Sequence, residues 1–262
     1  MKSQAFRALT LTLLIAATLW FSYWSAHPQR AWLLSMLFVA ALCIVLGLWI
    51  MKLPLGILIS ERNLMSLSRL QLVVWTVVIF SGYLVVLMQR VLHNVPDPLT
   101  INIDPNLWAV LGISTASFVG TPLVLSQKAQ TNVNPQAVQA ASVALQETSS
   151  SIQQNAQGTL YANTAAKDAS ITDMFQGDEI GNTAYVDISK VQMFLLTIFI
   201  VAAYCNQLYH LLGAFDSSLV HADFSALNSL PAFSTSEVQL LGVSHAGYLV
   251  FKAVGHTQAN SQ

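Results

Sequence analysis

The sequence predicts an all-α polytopic membrane protein with about six transmembrane helices. Of the 262 residues, 54% are hydrophobic and only 9% are charged, with a mean hydropathy of +0.56. A soluble domain has about 25% charged residues. A spanning helix needs roughly 20 mostly apolar residues. Six stretches approach that length, at approximately 7–26, 31–51, 70–92, 107–126, 191–213 and 237–254. The last stretch is the weakest, because polar residues and Gly247 interrupt it.

The first element is an N-terminal transmembrane hairpin in residues 1–55, whose two spans are joined by the tight turn HPQR. Lys2 and Arg7 could form the basic region of a secretory signal peptide. Trp24, however, stands where cleavage before Ala26 would need a small residue. We therefore expect an uncleaved first span.

The basic residues predict the orientation, because Lys and Arg favour the cytoplasmic side of short loops. With the N-terminus inside, nine of the eleven basic residues lie on the cytoplasmic side, and only Arg30 and Arg90 lie outside. The sequence thus predicts a multi-pass protein of the cytoplasmic membrane with both termini in the cytoplasm.

Two similar segments, 56–126 and 187–262, predict a tandem repeat. SLSRLQ (66–71) recurs as DISKVQ (187–192) at an offset of 121 residues, and VLGISTASF (110–118) recurs as LLGVSHAGY (240–248) at an offset of 130. Each copy contains two predicted spans, so both copies run in the same direction. We expect a parallel two-helix repeat, in contrast to the inverted repeats of many secondary transporters.

Residues 127–186, here called the polar segment, lie between the two copies and are rich in Gln, Ser and Ala. Such a composition buries little core by itself. The stretch PQAVQAASVALQ, with Pro135 suited to a first helical position, predicts one surface helix. Farther along, Ile171, Met174 and Phe175 lie on one side of a candidate interfacial helix, and an irregular loop is the alternative.

Both copies of S-[RK]-x-Q fit a capping box, in which the hydroxyl and the Gln side chain satisfy backbone N–H groups of the first helical turn. The cation between them is placed to reach anionic lipid headgroups. A functional site for an anion or a partner is the alternative. The residues concerned are Ser68, Arg69, Gln71, Ser189, Lys190 and Gln192.

Small residues at helical spacing predict close helix packing in the second helix of each copy. Packing within the chain and packing between subunits both remain open. The residues are Gly112, Ser114, Ala116, Gly120, Gly242, Ser244 and Ala246.

A few polar residues interrupt otherwise apolar spans, and they could line a lumen or form a polar network inside the bundle. Histidine within a span is a functional candidate, although a hydrogen-bonded packing role is the alternative. The residues are Thr76, Tyr83, Thr197, Tyr204, Asn206 and His245.

No catalytic, cofactor-binding or metal-binding residue is predicted. The sequence contains no phosphate-binding loop, no nucleophile elbow and no zinc motif, and it has no basic groove for nucleic acid. The residues His210, Asp216, His221 and Asp223 match no recurrent metal-ligand spacing. No acidic or basic residue lies in the middle of a span, which disfavours a proton relay or an ion-coupled carrier.

Four motifs in order carry a resemblance to a known group of proteins: SLSRLQLVVWTVV, DPNLWAVLGISTASFVGTPLVL, DMFQGDEIGNTAYVDISKVQMF and LLGVSHAGYLVFKAV. The chain resembles a family of bacterial multi-pass inner-membrane proteins with paired S-[RK]-x-Q and L-G-[IV]-S two-helix modules. The resemblance covers about 56–254. It implies a bacterial source and an inner-membrane location, and it carries over no catalytic or binding residue.

From these features we expect a non-enzymatic membrane subunit that self-associates and anchors or scaffolds a larger assembly. The polar segment would be the docking surface for a cytoplasmic protein, since it is too long for a simple connector. An oligomeric channel is the alternative, and a small-molecule or lipid transporter is a second alternative. The expected partners are the lipid bilayer with its anionic headgroups, further copies of the chain and other membrane subunits.

Overall fold

The computed structural model describes residues 2–24, 27–216 and 223–257 of the chain. Within these residues the chain is helical and forms no β-strand, as the sequence predicts. The eight helices are α1 Lys2–Trp24, α2 Pro28–Ile50, α3 Leu67–Leu92, α4 Pro105–Ser126, α5 Pro135–Leu145, α6 Ser149–Asn155, α7 Ile188–Gly213 and α8 Thr235–Ala253. Helix α3 contains one π-helical turn, Thr76–Phe80.

Five helices, α1, α2, α3, α4 and α7, are long and apolar enough to cross a membrane. The chain is therefore an all-α polytopic membrane protein. The sixth predicted span, 237–254, forms helix α8, which has 19 residues and packs against α4 and α7. Because α8 carries Glu237, His245 and Lys252, it does not belong to the five strongly apolar helices.

The N-terminal hairpin packs against α3 through both of its helices. Within the hairpin, the Ser22 and Ser35 hydroxyls are hydrogen-bonded at 2.7 Å. Gln89 Nε2 of α3 donates to the Ser22 carbonyl at 3.0 Å. These buried polar contacts connect the hairpin to α3.

Helix α3 lies beside α7, and α4 lies beside α8, with each pair running in one direction. Near the start of α3 and α7, Gln71 Nε2 donates to Thr197 Oγ1 at 2.6 Å. At the start of α4 and α8, Asn106 Nδ2 donates to the Phe233 carbonyl at 2.7 Å. Near their ends, an added Cβ on Gly120 would touch the Leu249 side chain. The helices that begin with similar sequences are thus parallel neighbours.

An aromatic cluster closes the centre of the bundle. Trp75 lies edge-on to Tyr204 and to Phe233, with ring centroids 6.2 and 5.7 Å apart, and Tyr204 stacks on Phe233 at 4.9 Å. All three side chains are buried. Phe233 comes from the connection between α7 and α8, which also buries Leu227 and Leu230 in the same core.

Arg90, in the last turn of α3, holds the loops at this end of the bundle. Its guanidinium donates to the Leu227 carbonyl at 2.9 Å, to the Pro98 carbonyl at 3.1 Å and to the Asp97 carbonyl at 3.2 Å. A helix C-terminus favours a cation. The end of the bundle that contacts Arg90 lies opposite the end covered by the polar segment.

The polar segment folds into a compact unit with a small core. Val138 and Ala141 of α5, Ile152 of α6, Tyr161 and Ile180 pack together, and Leu64 from the loop before α3 completes this core. The sequence predicted little core for the segment by itself, and the observed core includes Leu64 from outside the segment. The predicted surface helix is confirmed as α5, where the Asn134 side chain accepts from Gln136 N.

The candidate interfacial helix is a single 3₁₀ turn, Ile171–Phe175. Ser170 and Asp173 close the turn, since Asp173 Oδ2 accepts from Ser170 N at 2.8 Å. Met174 is buried in the cluster of residues that includes Met193, whereas Ile171 is exposed. A turn of this length has no continuous apolar face, so the prediction of a helix here was wrong.

Candidate functional site

The site lies at the end of the bundle that contacts the polar segment, and a tight loop, 176–187, positions its two acidic residues. Gln176 and Val186 form an antiparallel bridge that closes the loop. Asn182 Oδ1 accepts from Glu179 N at 3.0 Å. Gly177 is required here, because a Cβ at this position would overlap the Asn182 side chain. The loop thereby presents Asp178 and Glu179 to the helix ends.

Asp178 binds three cations. Its Oδ1 accepts from Arg62 Nη2 at 2.5 Å, and its Oδ2 lies 2.5 Å from Lys252 Nζ and 3.2 Å from Lys190 Nζ. Arg62 also donates to the carbonyls of Tyr161 and Asp178, which fixes its guanidinium. The three cations converge on one buried carboxylate.

Glu179 binds a separate set of partners on the other side of the loop. Its Oε1 accepts from Lys128 Nζ at 2.6 Å, and the backbone N–H groups of His256 and Thr257 donate to the same carboxylate at 2.8 to 3.0 Å. Lys128 also donates to the Lys252 and Val254 carbonyls at 2.5 Å each. Glu179 therefore ties the chain beyond α8 to the chain beyond α4.

Together the two acidic residues contact four cations at one end of the bundle, one cation near the start or the end of each of four helices. Arg62 precedes α3, Lys128 follows α4, Lys190 opens α7 and Lys252 closes α8. We call Arg62, Lys128, Asp178, Glu179, Lys190 and Lys252 the ion-pair cluster. Asp178 fastens the polar segment to Arg62, Lys190 and Lys252, and Glu179 fastens it to the backbone that follows α8.

Burial determines the electrostatics of this cluster. Burial alone would raise the pKa of the Asp178 carboxyl, but the charges of Lys190, Lys252 and Arg62 hold that pKa well below its usual range. A buried charge is tolerated only when it is paired and hydrogen-bonded. Asp178 consequently remains ionised at neutral pH and holds the three cations in place.

A cavity of about 440 Å³ adjoins the cluster. It lies between the first turn of α3, the last two turns of α4 and the polar segment, and Lys190, Tyr248 and Lys252 form its inner wall. Asp173 lies in the cavity wall as well. Burial raises the pKa of the Asp173 carboxyl, while hydrogen bonds from Ser170 N and Met65 N partly offset this shift.

The predicted capping boxes are not formed. Helix α3 begins at Leu67, so Ser68 lies inside it, and Gln71 bonds across to Thr197 instead of back to the helix start. Helix α7 is capped by Asp187, whose Oδ1 accepts from Ser189 N and Lys190 N. The Asp187 carboxylate, two residues before Ser189, is a better acceptor for N–H groups than the Ser189 hydroxyl.

The remaining residues of these motifs separate into different environments. Lys190 is buried in the ion-pair cluster, so its predicted role as a lipid anchor was wrong. Gln192 is exposed and Ser189 is half-buried. Arg69 pairs with Glu61 at 2.6 Å, lies over the Phe118 ring and lines the cavity.

The structure does not bring the candidate lumen residues together. Thr197 and Tyr204 are buried, whereas Thr76 and Asn206 are exposed and Tyr83 is half-buried. Thr197 accepts from Gln71, and Tyr204 belongs to the closed aromatic cluster. These residues therefore do not share one lumen within the chain.

His245 is buried, with its Nδ1 2.5 Å from Ser117 Oγ of α4. This contact joins the α4–α8 pair, as the alternative of a hydrogen-bonded packing residue expects.

The small residues of the predicted packing faces also differ in their surroundings. Ser114 and Ser244 are buried, and an added Cβ on Gly242 would touch Ile113. Gly120 packs against Leu249. Gly112, Ala116 and Ala246 are exposed on the outer faces of α4 and α8, so for these three residues the alternative of packing within the chain does not hold and packing between subunits stays open.

In residues 2–24, 27–216 and 223–257, no group of three or more His, Cys, Asp or Glu side chains is arranged to hold a metal ion. His221 lies outside the described residues. Cys43 and Cys205 are free and half-buried.

The ion-pair cluster was missed from the sequence, because its members are spread from residue 62 to residue 252 in segments that read as loops and helix ends. Two signals were available. Lys252 stands where the first copy has Pro122, and Asp178 and Glu179 are adjacent acidic residues shortly before the second copy. A search for opposite charges on the same predicted side of the membrane could have suggested their pairing.

No protein-family model, curated protein or solved structure matches the chain.

Proposed function

We propose that this chain is a non-enzymatic integral membrane subunit that anchors a partner protein to the membrane through its polar segment. The observation that carries this proposal is the ion-pair cluster, in which Asp178 and Glu179 contact a cation near the end of each of four helices. A flexible connector would not need the three buried ion pairs that join Asp178 to Arg62, Lys190 and Lys252. A surface that holds a partner at a fixed position relative to the bilayer needs such attachments.

The outer face of the polar segment supports this function. A groove of about 300 Å³ runs between α5 and the loop that carries Gly181 and Tyr185. Small side chains, among them Ala140 and Ala144, form its α5 wall, and the Tyr185 ring is 69% exposed beside it. Small apolar walls with an exposed aromatic residue favour a protein segment as the occupant, since aromatic residues are enriched at interfaces.

Location and assembly belong to the same proposal. The distribution of basic residues supports a cytoplasmic polar segment in a bacterial inner membrane. The parallel packing of α3 with α7 and of α4 with α8 supports the interpretation of 56–126 and 187–262 as two copies of one unit. Exposed small residues on α4, Gly112 and Ala116, would allow a second copy to approach closely.

The test is affinity purification of the full chain in a mild detergent, with its partners identified by mass spectrometry. We expect Ala140→Arg, which fills the groove with a charge, to remove a partner that co-purifies with the unaltered protein. The matched control is Gln139→Arg, an exposed position on the same helix outside the groove, which should retain that partner. Purification as a lone monomer, or equal loss in both variants, would refute the proposal.

A further inference from the structure

The cavity beside the ion-pair cluster has one apolar wall that continues onto the outer surface of the bundle. Phe118, Val119 and Leu123 of α4 line it, together with Leu67 of α3. Val119 and Leu123 are nevertheless 52% and 66% exposed. Because α4 belongs to a segment apolar enough to cross a membrane, this exposed face contacts acyl chains. The cavity therefore adjoins the lipid phase.

The other wall carries more buried positive charge than negative charge. Arg62, Lys190 and Lys252 are nearly buried and share the single carboxylate of Asp178, and Asp173 is a second, half-buried acid in the wall. Arg69 also lines the cavity, but its partner Glu61 has a side chain that is 79% exposed. An anion inside the cavity would balance the remaining buried charge, which is costly in a medium of low polarity.

Uncharged hydrogen-bond donors lie in the same wall. The first turn of α3 lines the cavity, and no side chain caps it, since the Ser66 and Ser68 hydroxyls bond each other at 3.0 Å. The N–H groups of an uncapped first turn favour an anion. Thr183 also lines the cavity, and its buried hydroxyl has no hydrogen-bond partner among the described residues.

We propose that this cavity binds the anionic headgroup of a membrane lipid, with an acyl chain of that lipid lying along Val119 and Leu123. A volume of about 440 Å³ lies within the usual range of roughly 300–1,000 Å³ for ligand pockets. It holds a headgroup while the acyl chains stay in the bilayer. A soluble anion would use the cationic wall but would leave the apolar wall and its opening toward lipid without a role.

The proposal differs from surface attraction of lipid by snorkelling side chains. In that case the cations would lie on the outside of the helices, as was expected for Lys190, and any anionic lipid would exchange along the whole rim. Here the positive charge is collected inside one cavity, between α3 and α4. Binding at one position, with one stoichiometric lipid, is the consequence.

The experiment uses the full chain in nanodiscs of phosphatidylcholine that contain a trace of phosphatidylglycerol with a diazirine in one acyl chain. After irradiation, the labelled peptides are identified by mass spectrometry. We expect the label to concentrate on residues 118–125. Excess unlabelled phosphatidylglycerol should abolish this labelling, whereas inorganic phosphate should leave it unchanged.

Matched variants keep the test independent of folding. Arg69→Gln removes a cavity cation that does not contact Asp178, and it should reduce labelling at a limiting probe concentration about tenfold, the value expected for loss of one charge-assisted hydrogen bond. Its control is Arg7→Gln, an exposed cation over the Trp49 ring, which should have no effect. Leu123→Trp should block the opening, and Leu195→Trp, at an exposed position on α7, should not.

Three results would overturn the proposal. A phosphatidylcholine probe that labels 118–125 equally would remove the role of the anionic headgroup. Labelling spread evenly over the outer helices would mean that the cavity holds no lipid. Displacement by inorganic phosphate would identify a site for a soluble anion instead.

Discussion

In the ion-pair cluster, we expect removal of the Asp178 carboxylate to lower the free energy of unfolding more than removal of one of the three cations that it binds. Asp178→Asn leaves three buried cations without their shared carboxylate. Breaking a buried pair in this way costs about 3–5 kcal/mol, a large fraction of the roughly 5–15 kcal/mol by which most folded proteins are stable. Lys252→Met instead leaves Asp178 with Arg62 and Lys190 and removes the repulsion between neighbouring cations. We expect it to cost only about 1 kcal/mol, because an apolar side chain of similar size often replaces a buried ion without loss.

The assay is thermal unfolding of the purified full chain in one mild detergent, followed by near-ultraviolet circular dichroism. We expect Asp178→Asn to lower the melting temperature by about 10 °C and Lys252→Met to lower it far less. Proteolysis of the polar segment should accelerate only in Asp178→Asn. Equal losses of stability in the two variants would refute the argument that three cations depend on one acid.

The same carboxylate predicts a dependence on pH. The pKa of Asp178 is lower in the folded protein than its ordinary value, so its contribution to the free energy of unfolding is present above the unfolded pKa of about 3.9. That contribution is lost as the pH falls toward the folded pKa. The difference in stability between the unaltered protein and Asp178→Asn should stay constant from about pH 8 to pH 5 and narrow only below about pH 4. A difference that already narrows near pH 6 would contradict this assignment.

Three further predictions concern local contacts. Gly177→Ala should destabilise the polar segment by about 1–3 kcal/mol, since its Cβ overlaps the neighbouring side chain, whereas Gly112→Ala, where the added Cβ meets open space, should be neutral in the same thermal assay. Thr197→Val should cost about 1 kcal/mol by leaving the Gln71 amide unpaired, and the double variant with Gln71→Leu should recover most of that loss; additive losses in this double-mutant cycle would be contrary to the prediction. Asp187→Ala should cost about 1 kcal/mol as a lost helix cap, measured by the same unfolding assay, and no loss would exclude the capping role.

The fold class could be predicted from the sequence, because span length and composition depend on the bilayer and not on tertiary contacts. The parallel direction of α3 and α7 could also be predicted. Two membrane crossings separate corresponding positions such as Gln71 and Gln192, so the chain runs in the same direction at both. The positions of the helix caps could not be predicted from the sequence. A helix start is decided within one or two residues, and Asp187 outcompetes Ser189 because its carboxylate reaches the same N–H groups more favourably.

The site itself was inaccessible because it depends on long-range pairing. Lys190 was predicted to anchor lipid because the sequence does not show its acidic partner, Asp178, in the polar segment. Gln71 was predicted to cap α3 because the sequence does not show that Thr197 of α7 lies beside it. The core of the polar segment was not predicted, because Leu64, which completes that core, lies more than sixty residues before the segment. In each case the competing interaction came from a segment remote in sequence.

The opening of the cavity has a kinetic consequence for any lipid held beside Asp178. The rings of Trp75, Tyr204 and Phe233 pack against one another in the centre of the bundle. If the cavity holds a lipid as proposed, that lipid would enter and leave through the opening at Val119 and Leu123 and would exchange with one leaflet. The occupancy of the cavity would then depend on the abundance of that lipid in one leaflet. The protein would in this way relay the lipid composition to a partner bound by the polar segment.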